Sequence, residues 1–70
     1  MFLKNEFNAM LAQKGISKSD LALHLGIKRE ALYRRINAGE FNANEIEIMF
    51  KLFGVKQTIK ALFGKNVVEE

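Results

Sequence analysis

The sequence predicts an all-α fold, a compact bundle of about five short helices, on three observations. Apolar residues recur three and four positions apart in successive short segments. Five glycines punctuate those segments and no proline interrupts them. Two segments open on a reciprocal start signal, Ser17 with Asp20 and Asn42 with Glu45. Seventy residues accommodate one small domain, read as residues 1–64 with a short tail at 65–70.

The first helix is expected over residues 2–14, where Leu3, Phe7, Met10 and Leu11 share one face. Gly15 ends it, and Ile16 is the apolar residue expected after a left-handed cap. Ser17 caps the second helix, read over residues 18–25, with Asp20 completing the cap and Ile16 stapling against Leu21. Leu21, Leu25 and Ile27 point inward, and Ala22 is small where another helix must cross closely. Leu23 and His24 point outward. Gly26 sits where a tight turn needs positive φ.

The third helix is read over residues 29–38. Leu32 and Ile36 carry its apolar face, which leaves Glu30, Tyr33, Arg34 and Asn37 facing away, with Lys28 and Arg29 at its start. Lys28 stands where a Ser, Thr or Asp cap is usual; it is either an unoptimised cap or a cation placed to reach a phosphate. The fourth helix follows Asn42 and runs to Phe53, with Ile46, Met49, Phe50 and Phe53 inward and Ile48 and Leu52 spreading the apolar surface to a second side. After Gly54, residues Val55, Ile59, Leu62 and Phe63 describe a short fifth helix ending at Gly64. In the tail, Val67 and Val68 suit either a short strand in a dimer or a frayed end.

Composition narrows the function. Hydrophobic residues make up 49% of the chain and charged residues 27%, as in an ordinary soluble globule. No apolar run approaches a membrane span, and Lys4 and Glu6 interrupt what would be the apolar part of a signal peptide, so a cytoplasmic location in a bacterial host is expected and no membrane partner. The chain has no cysteine and one histidine, which leaves His24 without companions for a metal site. With no glycine-rich phosphate loop and no carboxylate pair placed in an evident cleft, the chain is read as a non-enzyme with no cofactor, no metal and no small-molecule substrate. Net charge is +3, yet between residues 14 and 35 six cations face only two carboxylates. That patch suits a polyanion, whose condensed counterions are released as phosphates are neutralised. Mixed charge also keeps small domains in solution.

Residues 18–37, KSDLALHLGIKREALYRRIN, thus read as a short helix, a glycine turn and a second helix with a cationic outer face. The chain resembles the helix-turn-helix domains of the Cro and phage-repressor family. The resemblance spans residues 2–64 and rests on LAxxLGI at residues 21–27, on Leu32, and on LFGVxxxIxxLFG at residues 52–64. The variant YRRINAGEF at residues 33–41 is similar to small regulators from phages and prophages of Gram-positive bacteria. It implies a lambda-repressor-like fold and sequence-specific binding of double-stranded operator DNA, with the third helix in the major groove. Lys28, Arg29, Glu30, Tyr33 and Arg34 would then lie nearest the bases, and Lys18, Arg35 and Asn37 toward the backbone. Two residues depart from the family pattern. Arg35 stands where an apolar residue is usual, the apolar residue coming one later as Ile36, and Lys18 replaces the usual glutamine, which favours a phosphate contact. The length leaves no room for the self-cleaving dimerisation domain of larger repressors, which favours a Cro-like regulator, and a homodimer would match half-sites about 34 Å apart. The alternative is an antirepressor that grips a partner phage repressor through Leu23, Ile48 and Leu52 together with Tyr33, since apolar groups outside a core mark interaction surfaces.

Overall fold

Each helix starts and stops on signals that the backbone geometry makes explicit. A computed structural model describes residues 1–65, in which α1 (Lys4–Lys14), α2 (Lys18–Leu25), α3 (Arg29–Ala38), α4 (Ala43–Phe53) and α5 (Val55–Phe63) follow one another without a strand. Val67 and Val68 lie outside the described residues. At the head of α2, Asp20 N donates to Ser17 Oγ at 3.0 Å and Ser17 N to Asp20 Oδ2 at 3.2 Å. Asn42 and Glu45 repeat that exchange at the head of α4, at 2.8 and 3.0 Å. Both boxes satisfy amide donors that a helix start otherwise leaves unpaired.

The ends are equally determined. Gly26, at φ 70, donates to Leu23 O at 3.2 Å while Ile27 N reaches back to Ala22 O at 3.0 Å, the paired bonds of a Schellman stop. The chain leaves α2 by this turn and re-enters a helix three residues later as α3. Gly54 is different. It alone joins α4 to α5, at φ 92 and ψ 151, a region open essentially only to glycine.

The core is assembled from all five helices. Phe7 and Met10 of α1, Leu21 of α2, Leu32 of α3 and Met49 of α4 are all but sealed from solvent, and Ala61 lets α5 approach α1 closely. A radius of gyration of 11.3 Å matches the value of about 11 Å for a compact domain of this length. No described helix is long and apolar enough to cross a membrane.

Three expectations are revised. First, α1 begins at Lys4, because Leu3 is extended and its N donates to Ala61 O at 2.8 Å, tying the chain start to α5. Phe2 consequently lies against Phe7 and Phe41, with ring centroids 5.4 and 6.1 Å away, and covers Gly39. Second, the buried face of α5 is Thr58, Ala61 and Leu62, whereas Val55 is 50% and Phe63 41% exposed. Thr58 can be buried because its hydroxyl donates to Gly54 O at 2.8 Å and reaches Met49 O at 3.2 Å, so no polar atom is stranded. Third, Ile48 and Leu52 are half-buried and pack against the core, so they do not form a free second side of α4.

Candidate nucleic-acid interface

The candidate surface is built on α3, whose two faces have opposite chemistry. Leu32 and Ile36 are buried and anchor the helix, while Arg29, Glu30, Arg34 and Asn37 stand exposed on the other side. Lys28 occupies the N-cap position and makes no capping bond, since lysine carries no side-chain acceptor. Its exposed ammonium, like the guanidinium of Arg34, forms no ion pair among the described residues.

Tyr33 joins α3 to the start of α2. Lys18 Nζ lies 5.7 Å from the centroid of its ring, and Arg29 Cζ, one helical turn back on α3, lies at the same 5.7 Å. Both distances fall within cation–π range. The three side chains border a shallow groove closed on its other sides by Asn8 and Ala12 of α1 and by Ser17 and Ser19 at the head of α2. Two cations thus border one concavity at the head of α2, whose own amides are already capped by Ser17 and Asp20.

Arg35 faces elsewhere. Its Nε is 2.6 Å from Glu45 Oε2, off the line of a well-directed hydrogen bond, and its side chain keeps 35% exposure against 4% for the carboxylate. Glu45 Oε1 meanwhile accepts from Asn42 N. The residue expected toward a DNA backbone is thus held against α4. Asn37 Oδ1 accepts from Lys4 Nζ at 3.3 Å, which brings one α1 cation to the far end of the same face.

Glu45 and Lys4 carry weight here that reading along the chain did not give them. Glu45 already had a part in the α4 cap, and only the unusual arginine at position 35 hinted that an acidic partner lay across from it. The apolar trio Leu23, Ile48 and Leu52 does not come together as a free patch. Leu23 is 80% exposed beside Ala22 and Ile27, at a groove edged by Lys28, Arg29 and Glu30, while the other two serve the core. Among the described residues no group of His, Cys, Asp and Glu side chains is placed to hold a metal ion. No family model, no curated protein and no solved structure matches the chain.

Proposed function

We propose that the chain is a sequence-specific regulator of the Cro and phage-repressor type that binds double-stranded DNA, with α2 and α3 as its helix-turn-helix. The observation that carries this reading is α3 itself. It is a short helix with one face fixed in the core and the other presenting Lys28, Arg29, Glu30, Tyr33 and Arg34, beside Lys18 of α2. A B-form major groove admits such a helix. Arg29 and Arg34 suit the O6 and N7 acceptors of guanine, and Glu30 suits the N4 donor of cytosine. Lys18, Lys28 and Asn37 suit phosphates, which fix register without reading sequence. Arg35 acts from behind, setting α3 against α4 through Glu45.

The test is selection from a pool of randomised duplexes, followed by fluorescence anisotropy on the recovered sequences. One preferred site is expected, with affinity that falls steeply as salt rises. Equal affinity for recovered and unselected duplexes would sink the reading.

Leu23 supports a second reading, in which the chain is an antirepressor that binds a partner phage repressor. A leucine 80% exposed beside Ala22 and Ile27 is what such a contact would use. Replacing so exposed a side chain leaves stability within about 0.5 kcal/mol. Leu23→Gln, which adds no charge beside Lys28 and Arg29, is therefore expected to abolish repressor capture on size exclusion under this reading, and to leave operator affinity intact under the first.

A further inference from the structure

Tyr33 holds two positive charges that would otherwise repel one another. Lys18 comes from α2 and Arg29 from α3, and each places its charged group 5.7 Å from the same ring centroid. The negative face of an aromatic ring attracts both, which offsets part of their mutual repulsion. Tyr33 itself is 38% exposed, so its ring stands at the surface within reach of a bound ligand.

We propose, on the premise that α3 reads DNA, that Tyr33 is a specificity-determining positioning residue. Its ring holds the Arg29 guanidinium ready for the O6 and N7 edge of one guanine while keeping Lys18 on a phosphate of the same duplex. An arginine pre-set in this way loses less side-chain freedom on forming a bidentate contact. A lysine set by the same ring ties that contact to the register of the backbone, because α2 and α3 then share one rigid charged pair. Discrimination at that guanine thus depends on a residue that need not touch the base.

The experiment uses the full chain and the duplexes that the wild type recovers from a randomised pool. Each guanine in the site is replaced in turn by 7-deazaguanine, which lacks the N7 acceptor, and affinities are compared for Tyr33→Leu, Tyr33→Phe and Arg29→Ala. Leucine keeps apolar bulk without the ring, and thermal melting of each variant monitors the fold. The wild type is expected to lose affinity at each guanine an arginine reads, by at most the roughly five- to 150-fold span of a full bidentate contact because O6 is kept. The guanine belonging to Arg29 is the one whose penalty Arg29→Ala removes. Tyr33→Leu is expected to erase most of the penalty at the Arg29 guanine, Tyr33→Phe to keep it, and Tyr33→Leu combined with Arg29→Ala to leave the same residual penalty there as Arg29→Ala alone.

Three results overturn the proposal. Tyr33→Leu could weaken all duplexes while leaving the penalty at the Arg29 guanine intact, could change preference at a different base pair from Arg29→Ala, or could lower the penalty at that guanine further in the Arg29→Ala background; each leaves DNA reading by α3 standing. A wild type that recovers no preferred sequence removes both the premise and the proposal.

Discussion

Glu45 uses its two oxygens on different elements. Oε1 closes the cap of its own helix by accepting from Asn42 N at 3.0 Å, and Oε2 meets Arg35 Nε of α3 at 2.6 Å. Glutamine at position 45 keeps an oxygen for the cap and removes the charge. Glu45→Gln is therefore expected to cost about 0.5–1 kcal/mol, because the Arg35 it leaves behind is 35% exposed and water takes up much of its charge. Thermal denaturation reads this as a fall of about 4–8 °C for each kcal/mol in a domain of this size. DNA binding separates Arg35 from the free cations. Lys18→Gln and Lys28→Gln are each expected to reduce the slope of log affinity against log salt by about one, as loss of a phosphate contact does. Arg35→Gln is expected to leave that slope unchanged, and a drop equal to that of Lys28→Gln would return Arg35 to the backbone contacts. The outward residues of α3 were legible from its helical wheel, because Leu32 and Ile36 mark the inner face unambiguously. The commitment of Arg35 was not, because a wheel describes one helix and Glu45 belongs to another.

Helix boundaries follow from caps and glycines, and for that reason α2, α3, α4 and α5 fall where local patterning places them. Packing faces are less local. For α5 the apolar pattern selected Val55 and Phe63, yet the buried stripe runs through Thr58 and Ala61. A threonine that bonds to backbone behind it and an alanine at a close crossing carry no strong hydrophobic signal, although both are 0% exposed. The start of α1 was likewise hidden, since the bond from Leu3 N to Ala61 O joins opposite ends of the described chain. Two substitutions test this arrangement. Ala61→Leu forces extra volume between α1 and α5 and is expected to cost about 1–3 kcal/mol, whereas Phe63→Leu, on a side chain 41% exposed, stays within about 1 kcal/mol. At the α4–α5 joint, a Cβ on Gly54 would meet nothing within 4 Å, so the penalty of Gly54→Ala is purely conformational. It is expected to reach about 1–3 kcal/mol and to exceed that of Gly15→Ala, whose φ of 65 and ψ of 28 place it in the left-handed helical region. Urea denaturation gives the order directly, and equal midpoints would refute the special place of Gly54.

On the proposed reading, a single copy of this domain would cover only a short site. Helix α3 has 10 residues, about 15 Å of helix, which lies along some four or five base pairs at about 3.4 Å each. A genome offers about a million or more competing sites, and so short a word recurs too often among them to mark one operator. Reading by α3 therefore requires a second copy on the same face of the duplex, with half-sites about one helical turn, 34 Å, apart. Light scattering on the protein with its selected duplex is expected to give two chains per DNA. Inserting about five base pairs between the half-sites turns them to opposite faces, and binding is expected to fall to that of one isolated half-site. A complex of one chain per duplex with undiminished sequence preference, or affinity indifferent to the insertion, would show that specificity comes from contacts beyond α3. Leu23 would then be the first residue to examine, since it is the most exposed large apolar side chain on the two helices that present the cationic face.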